Sequence, residues 1–376
     1  MLYSSCDNMK KTNKKEKQFS KYLLLLILII GSSILLNINK LKTIYLSHLT
    51  GYQEKTINTF LEEDIYKEIK ENKYSKTLEE IIKTELYQEK FLLEYLNINY
   101  NESENFLKEI SIFLNKGYNN QNINTIYKEL NKESIETLLN EDYYKDINDI
   151  ITITFFKEDK LKRYISYAKK ETTKDLETIV TYVNIGLDNS YYTNIQKVDN
   201  PNDILVLVNK YNQLNESYIP ENLQNITYGN GQLKQEAAIQ FDKMCEDANK
   251  DGIKIYGGSG YRSYSYQYEL YNNYVKIDGE KITDTYAARA GHSEHQTGLA
   301  MDILNKNWTY IQETNEEYNW LINNSYKYGF ILRYPKNKEE ITGYQFEPWH
   351  YRYVGIDLAK ELYNLNITYD EYIAKK

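Results

Sequence analysis

The chain has 376 residues, enough for two domains, with 46 basic against 54 acidic side chains and a net charge of -8. That balance argues against a nucleic-acid partner, which needs a basic face. Cys6 and Cys245 flank an apolar segment and imply no disulfide framework, while the 40 tyrosines and 4 prolines read as A+T-rich coding and not as a functional signal.

The first element is the apolar run Tyr22–Leu36, extended to Asn39 before Lys40. A membrane-spanning helix needs about 20 apolar residues, with a lower limit near 17, so residues 22–38 are short but workable as an anchor. Lys10 to Lys21 holds six lysines against one glutamate. Excess lysine marks the cytoplasmic side. Residues 1–21 are therefore expected inside, as a basic tail, with all that follows the anchor outside. A cleaved signal peptide competes with this reading, but Asn-Ile-Asn-Lys after the run is no small-x-small cleavage site. A buried core helix would not explain the lysine-rich flank.

Residues 45–183 are rich in Leu, Ile, Glu and Lys, with apolar residues such as Phe60, Leu61, Ile65 and Ile69 at helical spacing. Two copies of a small helical unit are expected. Gly51-Tyr52 with Ile57-Asn58-Thr59 matches Gly117-Tyr118 with Ile123-Asn124-Thr125 at an offset of 66, and Leu78, Ile81, Ile82 and Tyr95 match Ile147, Ile150, Ile151 and Tyr164 at 69. Such units bury their apolar faces by stacking on neighbours. After His48 this region contains no histidine, the commonest metal ligand and general base. It is expected to act as a stalk, a spacer or a docking module for an unknown protein partner. A linker is expected between Asn184 and Pro201, before a second domain over 200–376. There Asp203–Val208 and Ile253–Tyr256 read as strands, and the segment from Asn319 reads as a helix ending at Gly329.

The chemistry-bearing residues gather in that second domain. His295 and Asp302 stand seven apart. An imidazole and a carboxylate are good zinc donors, but on one regular strand a step of seven would face them oppositely. Gly298 allows the turn that would aim both at one ion. Glu347-Pro348-Trp349-His350 adds a second imidazole three residues after a carboxylate. A catalytic zinc keeps three protein ligands and one open position. His295, Asp302 and His350 supply the three, and Glu347 the base that takes a proton from water. Arg262, after the Ile253–Tyr256 stretch, could grip a carboxylate or steady an oxyanion. Singly, each residue is more simply a surface polar group. Together they fill every role of zinc hydrolysis without duplication. His292 receives no role.

Four blocks carry a resemblance: SGYRSYSYQ (259–267), SEHQTGLAMD (293–302), YGFILRYP (328–335) and TGYQFEPWHYRYVG (342–355). They resemble the zinc D,D-carboxypeptidases of the VanY type, within the wider group that joins lysostaphin-type enzymes and the hedgehog domain. The likeness runs from about Asp203 to Leu365. It implies an α+β fold around a small antiparallel sheet, one zinc ion on His295, Asp302 and His350, and Glu347 as base. It further implies that Arg262, Gln267 and Ser293 contact substrate and that Trp349 walls the site. The implied activity is removal of terminal D-Ala from peptidoglycan stem peptides or precursors. L,D-carboxypeptidase or endopeptidase action on wall peptides would share these motifs. A non-enzymatic, zinc-stabilised wall-binding module is the rival from another class, though it would not need Glu347.

Overall fold

The computed structural model describes residues 4–62, 65–71 and 74–376, with side chains from Ser20 onward except that of Tyr66. Met1–Tyr3 of the basic tail, together with Glu63-Asp64 and Asn72-Lys73 of the helical region, lie outside the described residues. The chain forms two compact units, residues 1–148 and 149–376.

Among the described residues, the regular elements of the first unit are all helices. It opens with α1 (Ser4–Thr50), of which Ser20–Thr50 is long and apolar enough to cross a membrane. Its leucines and isoleucines from 23 to 36 are all exposed. Short helices follow, and two tyrosines in the connections between helices are placed alike. Tyr52 and Tyr118 are both buried after a left-handed glycine, Gly51 and Gly117. Each hydroxyl accepts a backbone N–H, from Ser75 (2.9 Å) and Tyr144 (3.1 Å) respectively. Each ring also packs on another tyrosine, Tyr74 or Tyr143, at 4.9 and 4.8 Å.

The second unit is built on a four-stranded antiparallel sheet: β1 (Tyr256–Ser259), β2 (Ala300–Leu304), β3 (Phe330–Leu332) and β4 (His350–Tyr353), in the order β1-β2-β4-β3. Helix α2 (Gln235–Lys250) buries Ala237, Ala238, Phe241, Met244, Cys245 and Ala248, an apolar stripe at helical spacing. These residues share one core with Met301, Ile303, Phe330, Tyr351 and Tyr353 of the sheet. Emptying a site such as that of Phe241 costs about 3–5 kcal/mol. This unit includes the helices Leu161–Lys170 and Leu176–Ile185, the latter tied to the C-terminus by an Asn184 Nδ2 bond to the Ala374 carbonyl (2.9 Å). The fold is thus mixed, with helices around small sheets.

Two strand expectations are corrected. Asp203–Val208 forms no strand: Val206 and Val208 are buried, but the carbonyls of Ile204 and Val206 accept Arg352 Nη2 at 2.9 and 2.8 Å instead of a strand partner. β1 starts at Tyr256, so Ile253–Ile255 precede it. The helix near Gly329 is an α-helix to Asn324 followed by a 3₁₀ turn to Tyr328, closed by Gly329 in the left-handed conformation. Leu321 and Phe330 are fully buried, whereas Ile322, Ile331 and Leu332 are half-buried.

Candidate active site

Sheet register brings distant residues together. Across β1, β2 and β4, Ser259 pairs with Asp302 and Asp302 with His350. His295 comes from a 3₁₀ turn (Glu294–Thr297) just before β2. Gly298 ends that turn at φ +68, and a Cβ there would lie 2.9 Å from Leu223 Cδ2. The glycine therefore both reverses the chain and allows the close approach. Gly260 is equally constrained: a Cβ would meet the Gln232 carbonyl at 2.3 Å, and its own carbonyl accepts His295 Nδ1–H at 2.7 Å.

That last bond fixes the His295 tautomer, leaving Nε2 as the lone-pair atom, 3.3 Å from Asp302 Oδ1. On the other side His350 Nδ1 lies 3.1 Å from the same oxygen. Donors about 2.0–2.2 Å from a tetrahedral zinc stand about 3.3–3.5 Å apart. The three donor atoms lie within 4.8 Å of one another, all on buried residues. Two imidazoles and one carboxylate in this arrangement suit a zinc ion with one open position.

The electrostatics are those of a buried charged cluster. Burial lowers His295 to about 4, and the Arg262 charge adds to this, so the ring is neutral. For His350 burial acts downward too, but the neighbouring carboxylates of Asp302 and Glu294 outweigh it and raise it to about 9. Burial pushes against ionisation of Asp302, yet the adjoining His295 ring and the Arg262 guanidinium hold it well below the carboxylate range. Glu347, 3.7 Å from His350 Nδ1, is pushed up to about 8 by burial, against the restraining charge of His350. A carboxyl near that value can both take and return a proton near neutral pH.

A cleft of about 500 Å³ opens onto this cluster. Arg262, Gln267, Ser293, His295, Asp302, Glu347, Trp349 and His350 all line it. Arg262 binds Asp302 Oδ2 through Nη2 and Ser259 Oγ through Nε (2.9 Å). Gln267 donates Nε2–H to the Ala288 carbonyl (2.8 Å), and its Oε1 is buried without a partner. His292 lies apart: its Nδ1 bonds the Asn209 carbonyl at 2.8 Å and its ring packs edge-on against Tyr192.

Sequence reasoning missed one cluster, which meets the cleft at Glu294 and extends behind it. Glu294, Arg333 and Arg352 are fully buried, and Glu294 Oε1 accepts Arg333 Nε at 2.7 Å and Arg352 Nη1 at 2.9 Å. Arg333 Nη1 also binds Asp370 Oδ2 at 2.6 Å. The available signal was an arginine following apolar residues in each strand segment, Phe-Ile-Leu-Arg and His-Tyr-Arg-Tyr.

Comparison with known proteins places this unit. The profile of the family described as VanY, D-alanyl-D-alanine carboxypeptidase, matches residues 230–356. YodJ of Bacillus subtilis (strain 168), assigned as a carboxypeptidase, is 39% identical over 228 residues, covering 55% of this chain and 80% of its own. The chain belongs to the VanY-type carboxypeptidase family. Similar solved structures include the LdcB LD-carboxypeptidase (39% identity, TM-score 0.46, 50% of this chain and 92% of that one). The vancomycin-resistance D,D-pentapeptidase VanY in complex with Zn(II) is also similar (36% identity, TM-score 0.41, 45% of this chain and 98% of that one).

Proposed function

We propose that the chain is a zinc-dependent D-alanyl-D-alanine carboxypeptidase that removes the terminal D-Ala from peptidoglycan stem peptides or their precursors. The observation that carries this reading is one buried set of two imidazoles and a carboxylate beside a carboxyl held at about 8, at the floor of a cleft. His295, Asp302 and His350 would hold the ion, with His295 Nε2, Asp302 Oδ1 and His350 Nδ1 as the donor atoms that face one another. When bound, zinc supplies Lewis acidity that polarises a carbonyl and brings water's pKa to about 7.

The chain's own residues do the rest. Glu347 takes the proton of the attacking water and delivers it to the departing D-Ala amine as the peptide C–N bond breaks. Arg262 stabilises the negative charge that develops on the substrate, a task for which a fixed guanidinium is suited. It is fixed by Ser259 and Asp302. Gln267 and Ser293 contact the substrate and Trp349 walls the cleft. Family membership supports the D,D reaction as the leading assignment.

The chain is anchored by the span within α1, N-terminus cytoplasmic and peptidase domain (200–376) outside. The helical region (45–183) is two copies of one unit and serves as a spacer or docking module. The like placement of Tyr52 and Tyr118 supports the repeat. The test is D-Ala release from a pentapeptide stem by the full chain in detergent. Release that a chelator stops and zinc restores is the expected result. Release that persists unchanged in chelator overturns the zinc mechanism.

A further inference from the structure

Behind His350 two buried polar atoms face each other without hydrogen bonds. They are His350 Nε2 and Glu294 Oε2, 3.7 Å apart. One is a ring nitrogen and the other a carboxylate oxygen, so they are complementary as donor and acceptor. We infer that Glu294 is the positioning residue of the metal site: its Oε2 accepts Nε2–H of His350 and so presents Nδ1 of that ring to the metal. The inference rests on the zinc-site reading proposed above.

Geometry supports it from both ends. His350 Nδ1 is the nitrogen that faces Asp302 (3.1 Å) and Glu347 (3.7 Å), so it is the one placed to ligate. A neutral ring that ligates through Nδ1 carries its proton on Nε2, and that N–H needs an acceptor in a buried site. Glu294 Oε2 is the carboxylate oxygen facing it. A carboxylate behind a ligating imidazole fixes both its tautomer and its orientation.

Glu294 is itself immobilised. Arg333 and Arg352 hold Oε1 alone. Arg333 is anchored in turn on Asp370, and Arg352 on the carbonyls of Ile204, Val206 and Tyr353. A simple counterion for two arginines would explain the bonds to Oε1. It would not explain an Oε2 left uncommitted and aimed at the ring. The arrangement also keeps the two positive charges matched by Glu294 and Asp370, so the carboxylate can sit in the core without a mobile partner.

The test measures zinc affinity by competition with a chromophoric chelator, using the full chain in detergent. Glu294→Gln puts an amide in place of the acceptor and is expected to weaken zinc binding by about 10- to 100-fold. Asp370→Asn disturbs the same buried ion cluster but leaves Glu294 Oε2 in place. It should lower Tm while keeping zinc affinity within about threefold of the parent, since the carboxylate oxygen facing His350 is retained. A folded Glu294→Gln protein that binds zinc as the parent does overturns the inference, as does an Asp370→Asn protein that loses zinc equally. Should Glu294→Gln not fold, long-range 1H–15N spectra of the zinc-loaded parent decide. A proton on His350 Nε2 supports the inference and a proton on Nδ1 overturns it. A parent chain that binds no zinc overturns both this inference and the metal-site reading, whereas parent binding that Glu294→Gln leaves intact overturns this inference alone.

Discussion

Replacing Glu347 with Gln separates catalysis from stability, because the side chain is buried and its carboxyl is raised to about 8. Removing a general base costs about 10²- to 10⁴-fold in rate. The stability effect has the opposite sign. An acid whose folded value lies above its ordinary 4.5 favours the protonated form in the native state, so its ionisation destabilises the fold progressively from about pH 4.5 to about 8. At 1.36 kcal/mol per pH unit this reaches about 3 kcal/mol at pH 7 in zinc-free protein. Glutamine has the same shape and no charge. The variant should therefore be more stable than the parent in chelator at pH 7, by about 2–3 kcal/mol or roughly 5 °C in Tm, and nearly equal to it at pH 4.5. Scanning calorimetry at the two pH values, zinc stoichiometry and D-Ala release together check this. Zinc should still bind, since Glu347 is outside the donor set. Activity within tenfold of the parent, or a variant less stable than the parent at pH 7, would refute the assignment of a buried base.

Three further outcomes are expected. Arg262→Lys removes the Nε bond to Ser259 and the planar fork that steadies Asp302, so kcat/KM should fall by about 100-fold or more, as read by steady-state kinetics with zinc held saturating. Lys210 is lowered to about 8 by burial, within a cage of Tyr191 and Tyr344 rings 4.4 Å from its Nζ. The unfolded chain then binds more protons between about pH 8 and 10, and stability should rise across that window by up to about 2–3 kcal/mol. Lys210→Met should lack the rise when the two are compared by denaturant titration. Gly260→Ala forces a Cβ to within 2.3 Å of the Gln232 carbonyl, and the backbone shift should cost about 3 kcal/mol and loosen the His295 bond. Tm and zinc affinity should drop together.

The residues that converge on the cleft were readable because their chemistry is rare and their spacing ordered. His295 and Asp302 could share one ion only if the chain turned at Gly298, and it does. The cross-strand pairing of Asp302 with His350 depends on register, which no local pattern reveals. Asp203–Val208 misled because its apolar run is the run of a buried strand, while its carbonyls are claimed by an arginine far along the chain. The cluster of Glu294, Arg333, Arg352 and Asp370 was invisible for a related reason. Charged residues normally read as solvated, and here they neutralise one another only after strands distant in sequence have been brought side by side.

The central claim is tested most directly by mass spectrometry of synthetic pentapeptide and tetrapeptide stems after incubation with the zinc-loaded full chain in detergent. Loss of a single D-Ala from the pentapeptide, abolished by a chelator, is the expected result. Cleavage of the tetrapeptide alone would contradict the D,D assignment and make the enzyme an L,D-carboxypeptidase. Zinc-loaded protein that leaves both peptides intact would contradict the enzyme itself.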